Sequence, residues 1–286
     1  MGLLLNPEQK SESMTEILKF PLPESITKYQ DFLETHIRQT TALILTPVEV
    51  KPGSKISASP SGSRIGGPAF VSDSWPWPIA PNGKPFLHLA QINLAEVPER
   101  EGYPTEGLLQ FFIANDGDYG MNWDDYPENL DSPKHRKVRY IPATDLQALD
   151  SNVRAEGGIE TQADCIDGGY FEVNAKRFDQ YMTIVDAEAE KIAEQHGVDF
   201  FDDIWEEYEE LEVPKHIFGK GWAFFTQNDL RKDPAKYELL LQIDSTYSSD
   251  SVSIMWGDMG VANFFITADD LAELNFENVL YTWDCY

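Results

Sequence analysis

"QFFIANDGD" (residues 110–118) and "NFFITADDL" (residues 263–271) are two versions of one phrase in a chain of 286 residues. Each carries Phe-Phe-Ile, and an aspartate stands three residues beyond it, Asp116 in the first and Asp269 in the second. A glycine precedes each Phe-Phe at the same distance, Gly107 and Gly260. Upstream, "LAQIN" (89–93) is answered by "LLQID" (240–244), so that Gln91-Ile92 corresponds to Gln242-Ile243. Further upstream, Gly66-Gly67 is loosely echoed by Gly219 and Gly221. Three landmarks recurring in one order, at offsets of 151 to 154 residues, argue for internal duplication where a single shared tripeptide would not.

Two copies are too few for a solenoid. The expected fold is therefore α+β: two similar, mostly antiparallel, β-rich halves packed about a pseudo-twofold axis, with flanking helices. Each half supplies a small sheet that cannot bury its apolar face alone. The chain reads as a single domain over 1–286, with halves at about 64–145 and 215–283. Short apolar runs between turn residues, "PFLHLAQINL", "GLLQFFIA" and "KVRYIPA", read as strands of a meander. "TALILTPVEV" (41–50) reads as a further strand, followed by a Gly/Ser/Pro-rich loop at 51–63. "KYELLLQID", "SVSIMWGD" and "VANFFITADDL" are the later strands, with Thr267 capping a short helix.

Two segments are expected to be helical. At 23–39, Tyr29, Phe32, Leu33 and Ile37 form an apolar stripe and Ser25 is the expected N-cap. At 183–212, Gly197 divides an acidic insert, whose second piece places Phe200, Ile204, Trp205, Tyr208 and Leu211 on one face. The other face carries Asp202, Asp203, Glu206, Glu207, Glu209 and Glu210. A charged face of this kind either solvates the helix or docks a basic partner.

The chain has 22 Lys plus Arg against 49 Asp plus Glu, a formal charge of −27. Residues 1–60 are near neutral, with six basic and seven acidic residues, so the excess lies downstream. Such a surface repels nucleic-acid phosphates and anionic membranes, and it favours cationic proteins. Solubility alone also accounts for acidity. No apolar run reaches the roughly 18 residues of a membrane helix, and "MGLLLNPEQKSE" lacks the pattern of a signal peptide. Two cysteines, Cys165 and Cys285, fit a reducing cytosol, so a cytoplasmic protein is expected.

No catalytic signature is present: neither a Gly-x-Ser-x-Gly elbow nor a phosphate-binding loop, and "GKGWAF" (219–224) has two of three dinucleotide glycines. The histidines, His36, His88, His135, His196 and His216, form no zinc pair. A calcium loop starting at Asp116 fails because Met121 and Pro127 stand where Gly and Glu are required. No cofactor, metal ligand or catalytic residue is therefore expected. Cys165, between Asp164 and Asp167, is expected to have a raised thiol pKa. The basic stretch "KHRKVR" (134–139) is read as edge-strand protection or as a partner of the acidic helix.

Candidate partner-binding residues come from four places. In "SWPWP" (74–78), Trp75 and Trp77 project from one side of an extended run, either as an aromatic ledge or as packing. Gln91 and Gln242, at equivalent places in both copies, either line a shared cleft or satisfy loop backbone within their own copy. Asp244 follows Gln242, and Trp256 with Asp258 flanks a hairpin turn. The fourth place is the acidic helix, with Asp202, Asp203, Glu206, Glu207 and Glu210.

"RIGGPAF", "SWPWP", "PFLHLAQINLAEVP", "GLLQFF", "LLLQID", "MWGDMG" and "NFFITADDL", in that order, resemble the YwqG-like bacterial proteins. These belong to the TYPP superfamily, which includes eukaryotic ribosomal-protein chaperones. The resemblance implies a duplicated α+β fold with mixed sheets and a role in protein–protein interaction, and it brings no catalytic residue. Together with the charge, it yields the expected function: a non-enzymatic protein holding a basic partner, as an immunity protein against a cognate toxin or as a dedicated chaperone. The alternatives are a hydrolase or small-ligand protein using carboxylates such as Asp244 and Asp258 between the halves, and a structural subunit whose acidity serves only solubility.

Overall fold

The structure, a computed structural model, describes residues 17–51, 53–121, 130–147, 152–199, 208, 214–247 and 251–286. Eleven strands share one sheet: β1 (Ile17–Leu18), β2 (Arg38–Glu49), β3 (Arg64–Ile65), β4 (Leu87–Asn93), β5 (Leu108–Ile113), β6 (Arg136–Ile141), β7 (Gly169–Gln180), β8 (His216–Phe218), β9 (Tyr237–Asp244), β10 (Val261–Thr267) and β11 (Leu280–Asp284). Ten follow the order β11-β10-β9-β8-β2-β7-β3-β4-β5-β6, all antiparallel, and β1 adds in parallel beside β7. The two longest strands, β2 and β7, pair along twelve residues at the centre, from Arg38 opposite Gln180 to Glu49 opposite Gly169.

The sheet curls until its two edge strands approach, giving a nearly closed, barrel-like form. Arg136, at the start of edge strand β6, donates to the carbonyls of Val279 and Glu277 just ahead of edge strand β11. Trp283 Nε1 and Tyr281 Oη, on β11, donate to the carbonyls of Asp118 (3.1 Å) and Tyr119 (2.6 Å) in the turn after β5. Closure of this kind removes the exposed edges that an open sheet presents. The basic stretch 134–139 is thus partly turned inward. Arg136 and Arg139 are buried, and Lys137 pairs with Glu277.

The doubled phenylalanines follow from burial of both faces of the sheet. Leu109, Phe111 and Ile113 join the main core inside the curl, where the Phe111 and Phe264 rings meet edge-to-face at 5.2 Å. Neighbouring Phe112 and Phe265 point the other way, into separate clusters beneath outer loops. Alternation sends successive side chains to opposite faces, so a strand covered on both sides needs Phe-Phe rather than Phe-polar. The preceding glycines meet a related demand. A Cβ on Gly107 would stand 2.8 Å from the Ile141 carbonyl of β6, and one on Gly260 only 1.8 Å from the Asp284 carbonyl of β11.

Helices are few and short, so the molecule is mostly antiparallel β rather than α+β. The segment expected as a helix over 23–39 is a 3-10 turn (Glu24–Tyr29) running into a six-residue α-helix (Gln30–Thr35). Pro23 takes the N-cap position in place of Ser25, and Arg38 already belongs to β2. β2 has the long central strand β7 to pair with, and that ladder overrides the helical stripe at Ile37-Arg38. Ala187–Gln195 forms the first piece of the acidic insert, capped by Asp186, whose carboxylate accepts from the Glu188 N–H at 2.9 Å. Gly197, at φ +71°, follows its end as expected. Thr267 caps Ala268–Ala272, accepting from the Asp270 N–H at 3.1 Å. Among the described residues no helix is long and apolar enough to cross a membrane.

Candidate functional site

Gln91 and Gln242 occupy matched surroundings. Gln91 Oε1 accepts from the Phe70 N–H at 2.9 Å, and its Nε2 donates to the carbonyls of Pro60 (2.9 Å) and Gly62 (2.8 Å). Gln242 Oε1 accepts from the Phe224 N–H at 2.8 Å, and its Nε2 donates to the Lys215 carbonyl at 3.3 Å. The residue on the next strand completes each arrangement. Gln110 Nε2 donates to the Phe70 carbonyl at 3.0 Å, and Asn263 Nδ2 to the Phe224 carbonyl at 2.8 Å. Each loop residue is therefore held at both its N–H and its C=O by amide side chains, which present a donor and an acceptor together. Both glutamines are buried, and each serves a loop that lies near it in sequence.

The strands carrying them bulge at matching points. Register slips at Leu89 in β4 and at Leu240 in β9, and the freed carbonyls accept from the N–H groups of Gly66 (2.7 Å) and Gly219 (3.1 Å). Both glycines hold left-handed backbone, at φ +73° and +74°. Bulges re-aim the chain, and here each directs a Gly-containing loop across the outer face of the sheet.

Trp75 and Trp77 are half-buried and separate. The Trp75 indole N–H donates to Asp145 at 2.8 Å, and Trp75 packs against the cluster of Phe70, Leu108 and Ile141. Trp77 donates to the Phe86 carbonyl at 2.8 Å and packs edge-to-face on Phe112, ring centres 5.7 Å apart. Beneath them lies Arg139, held by Gln110 Oε1 and the Pro76 carbonyl, each at 2.8 Å. Burial lowers its pKa to about 10.

At the other end of the sheet sits an acidic corner. Val261 of β10 stands opposite Asp244 on one side and Asp284 on the other, so the two carboxylates share a face. Burial raises the Asp244 pKa to about 6, and the like charge of Asp284 adds to the rise against Lys215 and the Ser245 N–H. Asp284 is also raised by burial, although its oxygens accept from the N–H groups of Thr226 (3.2 Å) and Gln227 (2.9 Å). His216 borders the corner, its Nδ1 3.3 Å from the Asp244 N–H, and burial holds it neutral with a pKa of about 3. Trp256 is wholly buried against Tyr119 and Trp283, and Asp258 is exposed on the turn beyond it. Asp244 and Asp284 come together; Trp256 and Asp258 do not join them in one contact.

Asp202, Asp203, Glu206, Glu207, Glu209 and Glu210 lie outside the described residues; of the stretch 200–213 Tyr208 alone is described, donating its hydroxyl to the Met182 carbonyl. Cys165 is buried, and burial raises its thiol, with Asp164 adding to the effect. Sequence reasoning missed Asp284, which lies outside the repeated phrases, as well as Arg100 and Arg177, which flank a surface cleft. Nothing local marks any of these three, because their neighbours are brought in by strand pairing.

A comparison with curated proteins finds no match. Over residues 63–285, which take in every strand of the sheet except β1 and the central β2, the chain matches one family and belongs to it: the family described as domain of unknown function DUF1963.

Proposed function

We propose that the protein is a non-enzymatic binder of a basic protein, of the YwqG-like type, acting as an immunity protein against a cognate toxin or as a dedicated chaperone. One observation carries this reading: the way charge is divided between interior and surface. Arg64, Arg136, Arg139 and Arg231 are buried, whereas among the described residues the buried acidic side chains are those of Asp186 and Asp229, both paired with Arg231. Cations are withdrawn from the surface, which is left more acidic than the formal charge of −27 conveys. Such a field steers a cationic partner toward encounter and weakens with salt.

The same reading takes the chain as two copies of one unit. It is supported by the matched glutamine clamps, the matched bulges at Leu89 and Leu240, and the glycines before each Phe-Phe. The clamps hold loops on the outer face and leave them as ordered contact surfaces.

Capture on immobilised protein from the native host's lysate, with stepped salt elution and mass spectrometry, tests the proposal. A basic protein released only at high salt is the expected result, and a column without any salt-sensitive basic protein would sink the idea. One tight partner indicates immunity; several weaker ones indicate chaperoning.

The raised Asp244, beside Asp284 and a neutral His216, favours a second reading, a hydrolytic or small-ligand site. Assay of generic ester and phosphoester substrates between pH 5 and 7, with Asp244→Asn as control, decides it. Turnover that the variant does not reduce would remove Asp244 from any catalytic role.

A further inference from the structure

A cleft of about 560 Å³ opens at one end of the central strand pair, within the roughly 300–1,000 Å³ typical of small-molecule sites. Arg38 and Thr40 from the start of β2 and Arg177 from the end of β7 meet Arg100 from the loop after β4, Lys220 from beyond β8, and Glu238 from β9. The lining sets Arg38, Arg100, Arg177 and Lys220 among the carboxylates of Glu99, Glu101, Glu188 and Glu238, and their pairing is uneven. Arg38 is matched by Glu188 at 2.8 Å and lies 3.4 Å over the Trp222 ring. Lys220 reaches Glu238 Oε1 only at 3.7 Å.

Arg100 and Arg177 form no ion pair among the described residues. Arg100 spends its two terminal nitrogens on the Gln39 carbonyl and Thr41 Oγ1, which fixes the guanidinium on β2. Its Nε is buried without a partner, and so is the Nε of Arg177. On β9, Glu238 Oε2 is buried without a donor. The two arginines are near enough for the charge of Arg177 to lower the pKa of Arg100, in addition to the effect of burial. Two adjacent guanidiniums, neither in a direct ion pair and with Glu238 acting on Arg100 only at longer range, fit a carboxylate, whose planar oxygens they can fork. The orphaned Glu238 oxygen, with Glu99 and Glu101 at the rim, fits a cationic group held beside that carboxylate.

We propose that this cleft is a binding site for a zwitterionic ligand, a carboxylate seated on Arg100 and Arg177 with an ammonium or guanidinium turned to Glu238. A free basic amino acid and the C-terminal residue of a basic peptide both present this chemistry. The site does not depend on the acidic surface holding a protein partner. A chain that captures no basic protein can still show it.

The test is titration calorimetry of the full chain with four probes: alanyl-alanyl-arginine with a free carboxylate, the same tripeptide as its C-terminal amide, free arginine, and alanyl-alanyl-alanine. The free acid is expected to bind at least about tenfold more tightly than the amide, equivalent to roughly 1.4 kcal/mol. Arg177→Gln removes a half-exposed side chain with no ion pair to the fold, and it should bring the acid's affinity down to that of the amide. Glu238→Gln should weaken the arginine-ended acid about tenfold while leaving alanyl-alanyl-alanine unchanged. Free arginine binding as well as the tripeptide marks a small-molecule site; a clearly tighter tripeptide marks a peptide terminus. Acid and amide binding alike, or no heat from either at about 5 mM probe, overturns the proposal without any variant.

Discussion

Replacing Gln91 by leucine isolates what one clamp contributes. The change keeps the approximate volume and removes the hydrogen bonds to Phe70 N–H, the Pro60 and Gly62 carbonyls, and Gln110. Phe70 is fully buried, so its N–H loses its acceptor where water does not reach, a cost of about 2 kcal/mol. The two carbonyls lie in half-buried residues and recover some hydration, so about 0.5–1 kcal/mol each is expected. The sum is about 3–4 kcal/mol. Gln242→Leu removes the bond to Phe224 N–H and a long one to Lys215, both nearer solvent, for about 1–2 kcal/mol. Urea denaturation of both variants, followed by tryptophan fluorescence, should therefore place Gln91→Leu well below Gln242→Leu. Gln91→Glu sharpens the test, because it keeps the acceptor for Phe70 but sets an anionic oxygen against two carbonyls. Its loss of stability relative to wild type should shrink as the pH falls and the new carboxyl protonates. Equal losses in the two leucine variants, or a Gln91→Leu loss within about 0.5 kcal/mol of wild type, would refute this accounting.

Gly260→Ala should cost more than about 3 kcal/mol, because its Cβ meets the Asp284 carbonyl of β11; a thermal midpoint close to wild type would contradict the close approach of those strands. Arg231→Met leaves Asp186 and Asp229, now 2.9 and 2.6 Å from the guanidinium, buried without a counter-charge, and should cost about 3–5 kcal/mol in denaturant titration. For pH, His88 and His216 titrate near 6.5 when unfolded and near 3 when folded, so the unfolded chain alone takes up protons as the pH drops from 7 to 5.5. Stability should fall over that window by about 1.2 kcal/mol per histidine. Asp244 acts oppositely: its folded pKa of about 6 exceeds 3.8, so the native state gains a proton first and recovers about 0.8 kcal/mol. Asp244→Asn should steepen the acid loss, and a stability flat from pH 7 to 5.5 in both proteins would disprove the burial argument. Finally, a thiol reagent applied to the native chain should modify half-buried Cys285 and spare buried Cys165; two thiols reacting at equal rates would refute that placement.

By itself the sequence determined several strand segments, because runs such as 108–113 and 261–267, each opened by a glycine, admit little else once their β-branched and aromatic content is counted, but it did not mark β7, β8 or β11. It also determined the local punctuation: Thr267 as a cap and Gly197 as a break act through neighbouring backbone, and their chemistry is complete within a few residues. The recurring Gln91 and Gln242 were legible as special positions, but their partners were not, since Phe70 and Phe224 reach them only after the strands bulge and the loops fold back. Tertiary structure alone decided that the helical stripe at 23–39 would end early, because pairing of β2 with β7 outweighs local helix propensity. It alone turned Arg136 and Arg139 from an apparent basic patch into buried donors, set Asp284 beside Asp244, and brought Arg100 against Arg177 across 77 positions of chain. Those juxtapositions depend on how the sheet pairs and curls. Pairing and curl come from long-range contacts, to which the period of a single strand is blind.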